Sequence, residues 1–171
     1  MPKPQVPDQD PRTPGLSLTI QADPVSVRGA LKRLLSSPPL SDLAVTDRGL
    51  AEVVLAEVLN NVVEHAYGGT GGRVEVRLMK EHGLLRCLVV DEGRPMPGGQ
   101  MPTGRLPGGP DLALDDLPEG GFGWHLIRSL SMDLTYARVD GKNRLSFALV
   151  ATGEGLSTLS PHDRSSGFGS G

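Results

Sequence analysis

Three short segments hold the residues best able to do chemistry, and they follow one another in a fixed order. Glu57 and Asn61 lie in an apolar helical run, four residues apart, so they share one helix face and can reach one ligand. Residues 91–93 (Asp-Glu-Gly) follow a run of strand formers, and residues 120–123 (Gly-Gly-Phe-Gly) precede a second helical run. A carboxylate can accept a hydrogen bond from an adenine amine, and backbone amides at a helix N-terminus can bind phosphate. The ordered set therefore indicates a nucleotide site.

The first pair is unusual because its helix is apolar around most of its circumference. Thr46 is the expected N-cap of a helix over residues 47–67, which residues 68–69 (Gly-Gly) should end. The apolar positions of this helix are Leu50, Val53, Val54, Leu55, Val58, Leu59, Val62 and Val63. This pattern predicts a helix buried on several sides, in which a carboxylate must be paired, solvated in a pocket or functional. The alternative is a polar pair that faces solvent.

The other elements predict the layers that position these segments. Strand patterns cover residues 16–20, 73–81, 84–90, 132–139 and 144–150, and further helical patterns cover 24–36, with Asp23 as N-cap, and 122–131. This order predicts an α+β fold, a two-layer sandwich with helices on one face of a mixed or antiparallel sheet. Residues 94–119 are rich in proline and glycine and have no helix or strand period, which favours a lid.

Composition predicts one globular domain between two tails. The chain has 171 residues, of which 37% are hydrophobic and 22% charged. Residues 1–15 are proline-rich and residues 152–171 end in small polar residues, so both are expected to be flexible tails around a domain over residues 16–151.

Charge and cysteine content exclude several classes of function. The net charge of −3 gives no basic footprint for nucleic acid, and Cys87 is the only cysteine, so an internal disulfide or a cysteine-based zinc site is excluded. No run is long enough to cross a membrane, and the N-terminus lacks the apolar core of a signal peptide. We therefore expect a cytoplasmic protein.

The order and residue types of the three segments resemble the ATP-binding domain of the GHKL superfamily, whose fold is also called the Bergerat fold. Within it, the chain looks most like the small stand-alone serine kinases that act as bacterial anti-sigma factors. Residues 56–67 (Ala-Glu-Val-Leu-Asn-Asn-Val-Val-Glu-His-Ala-Tyr) are similar to their helical N-box. Residues 91–97 resemble their first glycine box and residues 121–127 their second, so the resemblance extends over residues 16–151.

The resemblance implies a role for each matching position. Asn61 would coordinate Mg²⁺ through its amide oxygen, and Glu57 would take the proton from the attacking hydroxyl or water. Asp91 would accept from the adenine amine, and Gly93 would let the backbone approach the ring. The second glycine box would bind the phosphates of ATP through Gly121, Phe122 and Gly123.

The chain departs from the family pattern at two places. Pro95 replaces the second glycine of the first box. The glycine-threonine turn before the last strand is replaced by residues 141–144 (Gly-Lys-Asn-Arg), so no threonine contact to adenine is assigned, and Ser146 is a speculative substitute. Arg94 and Arg105 in the lid segment are candidates for neutralising phosphate charge.

The function that the resemblance implies is a Mg-ATP-dependent protein-serine/threonine kinase. It would bind a sigma factor, phosphorylate a small anti-anti-sigma protein of the STAS type, and form a homodimer, without direct contact to nucleic acid or membrane. Two alternatives stay open: a nucleotide-dependent binding module without kinase activity, and a stand-alone ATP-binding domain of the histidine-kinase type.

Overall fold

The computed structural model describes residues 15–104 and 122–152. Within these residues, a five-stranded sheet in the order β1-β2-β3-β5-β4 carries three α-helices, and every neighbouring pair of strands is antiparallel. The strands are β1 (Gly15–Gln21), β2 (Arg73–Glu81), β3 (Leu84–Asp91), β4 (Met132–Val139) and β5 (Lys142–Val150). The helices are α1 (Pro24–Leu35), α2 (Val45–Asn61) and α3 (Phe122–Leu130). The predicted α+β class is confirmed, and the sheet is antiparallel throughout.

Alternation along the strands directs one set of side chains into the core. Val74 and Val76 of β2 are buried, and the central strands β3 and β5 repeat the pattern. α2 contacts α1, α3 and β5, and its residues Val54, Val58 and Leu59 are buried in the same core. Burying one such side chain stabilises the fold by about 1.5–3 kcal/mol. The two predicted tails, apart from Gly15 and Thr152, lie outside the described residues.

The N-cap of α1 is confirmed. Asp23 precedes Pro24 and accepts a 2.8 Å hydrogen bond from the backbone amide of Ser26 and a 2.6 Å bond from its hydroxyl. These bonds favour the ionised carboxylate and lower the pKa of Asp23.

The beginning of α2 differs from the prediction. Its N-cap is Ala44 rather than Thr46, and Ala44 offers no side-chain acceptor. Instead, the Ala44 amide donates to the carbonyl of Thr152 at 3.1 Å, and the Thr152 amide donates to Asp47 Oδ2 at 2.7 Å. The chain after β5 therefore fixes the first turn of α2, which no local capping rule could reveal.

The end of this helix is also different. After Asn61 the chain forms a π-helical turn, Val62–Ala66, in which the Tyr67 amide donates to the Val62 carbonyl at 3.1 Å. Gly68 and Gly69, both with positive φ, then end the helix as predicted. The wider turn rotates the following side chains relative to a regular α-helix, and such turns often occur at functional sites.

One face of α2 is less buried than predicted. Leu50 is 38% exposed and Val53 is 40% exposed, so the expectation of burial on several sides is wrong for this face. Among the described residues, the structure has no helix that is both long and apolar enough to cross a membrane.

The connection between the last two strands is shorter than predicted. Asp140 and Gly141 form a two-residue turn with φ angles of 50° and 75°, which is typical of tight hairpins. β5 consequently begins at Lys142, ahead of the predicted start at Arg144, and the pairing places Asn143 opposite Asp91 on β3.

Candidate functional site

A cavity of about 650 Å³ lies beside the C-terminal half of α2 and the ends of β3 and β5. Its apolar lining includes Val58, Val62, Val89, Met96, Trp124 and Leu145. Its polar lining includes Asn61, Glu64, His65, Asp91, Arg94, Tyr136 and Asn143. An apolar cavity with a few convergent polar groups is the usual form of a small-molecule site.

Asp91 ends β3 and is only 5% exposed. Its Oδ1 atom accepts from the Gly93 amide at 2.9 Å and from Asn143 Nδ2 at 2.8 Å. Among the described residues, no group donates to Oδ2. Burial raises the pKa of Asp91, although the bonds from Asn143 and Gly93 and the charge of Arg138 act in the opposite direction. Within the described part of the chain, Oδ2 is therefore the carboxylate oxygen without a protein donor.

Glu57 and Asn61 meet the beginning of α3. Both are half-buried, and a Cβ atom built on Gly123 would lie 2.5 Å from Glu57 Oε2 and 3.9 Å from Asn61 Oδ1. The pair and the glycine, which are far apart in sequence, thus form one cluster at a helix N-terminus. Backbone amides and the helix dipole there favour an anion.

The side chain of Asn61 fits a magnesium ligand. Its Nδ2 atom is buried without a hydrogen-bond partner among the described residues, so no protein contact there ties the amide to a structural role. The described residues include no group of three or more His, Cys, Asp or Glu side chains that could hold a metal ion. Mg²⁺ commonly uses one or two protein oxygens and completes its shell with phosphate and water, so one amide oxygen is compatible with it.

The remaining predicted residues lie around this cluster. A Cβ on Gly93 would lie 2.6 Å from the Ala66 carbonyl oxygen, so the structural need for glycine comes from contact with the π-helical turn. Phe122 is 38% exposed, lies outside the cavity lining and stacks on His125 with ring centroids 6.2 Å apart. Gly121 lies outside the described residues. The ligand roles of these three residues stay predictions.

The lid segment is partly described. Arg128 on α3 donates to the Pro102 carbonyl at 2.7 Å, and His125 Nδ1 lies 3.2 Å from the Gly104 carbonyl oxygen. Arg94 lines the cavity, and its amide donates to the Ala66 carbonyl at 2.8 Å. The rest of the predicted lid, with Arg105, lies outside the described residues.

Sequence reasoning missed the residues that surround Asp91. Asn143, Tyr136 and Arg138 come from the last hairpin and join the site through hydrogen bonds. Ser146, suggested as a substitute for the threonine, lies 2.6 Å from the Thr135 hydroxyl on the opposite face of β5, so that suggestion is wrong. The sequence signal that could have revealed Asn143 is a polar residue at an inward-facing position of β5.

Comparisons with known proteins identify the family of this domain. The sequence profile of the histidine kinase-like ATPase domain matches residues 20–149. The chain belongs to this ATPase family. The predicted resemblance to GHKL domains, and among them to the anti-sigma serine kinases, is confirmed.

Two similar proteins illustrate how far the similarity extends. The serine-protein kinase RsbW of Bacillus licheniformis is 31% identical over 90 residues, which are 52% of this chain and 56% of that protein. The crystal structure of the RsbU and RsbW domains of Rv1364c from Mycobacterium tuberculosis matches with a TM-score of 0.56 and 17% identity, over 81% of this chain and 33% of that one. At this identity the second match supports the fold alone.

Proposed function

We propose that this chain is a Mg-ATP-dependent protein-serine/threonine kinase of the anti-sigma type. The observation that carries the proposal is the cluster of Glu57, Asn61 and Gly123 beside the cavity that Asp91 lines. Ala66, in the π-helical turn that continues α2, accepts a hydrogen bond from the amide of Arg94, which follows Asp91 by three residues. The helical segment that carries Glu57 and Asn61 therefore also reaches the region of Asp91. A nucleotide can therefore lie along α2, with its base at Asp91 and its phosphates at the N-terminus of α3.

The residues present can do what phosphoryl transfer requires. Glu57 accepts the proton of a serine or threonine hydroxyl while that oxygen bonds to the γ-phosphorus, the bond from the γ-phosphorus to the bridging oxygen breaks, and ADP leaves. The N-terminal amides of α3 stabilise the phosphate charge. Asn61 Oδ1 would hold Mg²⁺, which when bound neutralises charge on the phosphates. Catalysis of this kind depends mainly on positioning and electrostatics.

The resemblance to the anti-sigma kinases supports the choice of partners. RsbW is named as a serine-protein kinase, and its match covers 56% of that protein, so activity and partners remain part of this proposal. We propose a STAS-type anti-anti-sigma protein as phosphoryl acceptor, a sigma factor as the protein held inactive, and a cytoplasmic homodimer as the working form.

The test is a transfer assay with labelled ATP. The full chain, Mg-ATP and a STAS-type protein encoded beside it are mixed, and the modified side chain is identified. Acid-stable phosphate on serine or threonine supports the proposal. Acid-labile phosphohistidine would assign the chain to the histidine-kinase alternative. Tight Mg-ATP binding and a nucleotide-dependent complex without transfer would contradict kinase activity and favour a binding module.

A further inference from the structure

The last hairpin places three polar side chains next to Asp91. Asn143 on β5 pairs directly with Asp91 on β3, and only 5% of its surface is exposed. Tyr136 and Arg138 lie on β4, one strand further towards the edge of the sheet. Cross-strand neighbours on one face of a sheet contact each other, so the three residues form a cluster behind the carboxylate.

All the hydrogen-bonding capacity of Asn143 is used within the protein. Its Oδ1 accepts from the Tyr136 hydroxyl at 2.8 Å and from Arg138 Nη1 at 2.7 Å. Its Nδ2 donates to Asp91 Oδ1 at 2.8 Å and to the Arg94 carbonyl at 2.9 Å. An amide has two donors and two acceptor positions, so Asn143 has none left for a ligand. It can act on a ligand only through Asp91.

The same cluster holds the backbone that follows Asp91. Arg138 Nη1 donates to the Gly93 carbonyl at 2.9 Å, and the Met96 amide donates to the Tyr136 hydroxyl at 3.1 Å. Together with the bond from Asn143 to the Arg94 carbonyl, three positions of this segment are fixed to the hairpin. The carboxylate and the cavity wall beside it are therefore held by the same hairpin.

In this arrangement the two oxygens of Asp91 differ in the hydrogen bonds that they already accept. Oδ1 already has two donors, whereas the described residues supply none to Oδ2. We infer that Asn143, braced by Tyr136 and Arg138, is the positioning residue that directs Asp91 Oδ2 at the amine of the base and sets the preference for adenine over guanine nucleotides. The inference rests on the nucleotide binding of the proposed function and does not require phosphoryl transfer.

The ionisation of Asp91 supports the inference. Burial raises the pKa of Asp91, and the Asn143 bond and the Arg138 charge limit the rise. Within residues 15–104 and 122–152, the charged and titratable groups that interact with this carboxyl are Arg138 on β4 and Tyr67 after the π-helical turn. An ionised carboxylate only accepts, which suits the adenine amine, whereas a protonated one can donate to the guanine oxygen. Loss of Asn143 should therefore weaken discrimination most strongly at low pH.

The experiment compares Asn143→Ala with Ser146→Ala, a control on the same strand whose side chain lies on the opposite face. Affinities for ATP and GTP are measured by calorimetry across a pH series from acidic to mildly basic buffer, because burial raises the pKa of Asp91. For Asn143→Ala we expect ATP affinity and the ATP/GTP affinity ratio each to fall by roughly tenfold or more, the usual consequence of a lost buried polar contact. We also expect the acid loss of ATP binding to move to higher pH. Ser146→Ala should match the parent.

A second variant covers the case in which Asn143→Ala does not fold. Tyr136→Phe removes one donor to Asn143 Oδ1 and leaves the bond to Asp91, so it should lower the ATP/GTP ratio by a smaller factor. A lower melting temperature with an unchanged ratio and an unmoved pH profile, in whichever variant folds, would overturn the inference and leave Asn143 a structural residue. A parent that binds neither nucleotide would instead overturn the proposed function. A parent that prefers ATP but transfers no phosphate would overturn kinase activity alone.

Discussion

Gly123 lies so close to Glu57 that a Cβ atom on the glycine would be 2.5 Å from Glu57 Oε2. Real Cβ atoms do not approach an oxygen this closely, so any larger residue at position 123 must displace the carboxylate or the helix N-terminus. The absence of a side chain at Gly123 is therefore what allows the proposed base and the proposed phosphate-binding amides to meet.

Gly123→Ala should consequently slow phosphoryl transfer. A displacement of a catalytic group by about 1 Å can cost about 100-fold in rate, and we expect a loss of roughly 10- to 100-fold. Gly49→Ala is the matched control because Gly49 is helical and has nothing within 4 Å of its Cβ position. It should raise the free energy of unfolding by about 0.5–1 kcal/mol and leave transfer unchanged. Equal transfer rates for both variants would show that the contact at Gly123 is unimportant.

Asn61→Ala should remove most of the stabilisation that magnesium adds. Because a ligand that binds the native state stabilises it, the parent should gain melting temperature with Mg-ATP over ATP alone. We expect Asn61→Ala to lose most of this gain while its melting temperature without ligand is retained. The neighbouring Asn60→Ala is the control, since Asn60 is exposed and does not line the cavity. A thermal-shift titration in which Asn61→Ala responds like the parent would remove Asn61 from the metal site.

Asp91→Asn should stabilise the protein without ligand and weaken ATP binding. Burial raises the pKa of Asp91 in the folded state above the unfolded value of about 3.9. The protonated carboxyl is therefore favoured by folding, and this contribution to stability is complete below the unfolded pKa and is lost as pH rises through the folded pKa. The amide does not titrate, so the variant should gain stability relative to the parent as pH rises from about 4 to neutrality.

Urea unfolding of both proteins across this pH range tests the expectation. A stability difference that stays constant from about pH 4 to neutrality would mean that Asp91 does not carry a raised pKa. Calorimetry at neutral pH should show that the variant has lost ATP affinity and much of its preference over GTP.

Nucleotide should protect the segment that spans residues 98–119. Arg128 already binds the carbonyl of Pro102 in the described part, so a closed lid would begin from an anchored point on α3. We expect hydrogen exchange across residues 98–119 to slow with saturating Mg-ATP, with α1 as an internal reference. Arg128→Met should reduce the effect. Unchanged exchange in the parent would identify the segment as an insertion without a lid function.

Most elements could be predicted from sequence because their patterns are local. The four-residue spacing of Glu57 and Asn61, the strand that ends at Asp91, and the glycines before α3 all depend on short-range periodicity and turn chemistry. The structure adds a contact that these local patterns do not show, because it brings Gly123 to the first pair.

The remaining features depend on contacts between distant parts of the chain. Ala44 can be the N-cap of α2 because the Thr152 carbonyl accepts a hydrogen bond from its amide, and the π-helical turn after Asn61 has no signal in local propensity. Asn143 was missed because the predicted strands over residues 132–139 and 144–150 leave it in the connection between them, although Asp140 and Gly141 alone make the turn. With β5 starting at Lys142, simple alternation places Asn143 inward and opposite Asp91.

The central claim is that Glu57 acts as the base, and Glu57→Gln tests it most directly. The amide is nearly isosteric and Asn61 remains, so Mg-ATP affinity should be retained, while transfer to the STAS-type partner should fall by roughly two to four powers of ten. Glu52→Gln, an exposed glutamate on the same helix, is the control and should behave like the parent. Retained Mg-ATP binding with transfer lost only in Glu57→Gln is the result expected; transfer by Glu57→Gln at the parent rate would contradict the account.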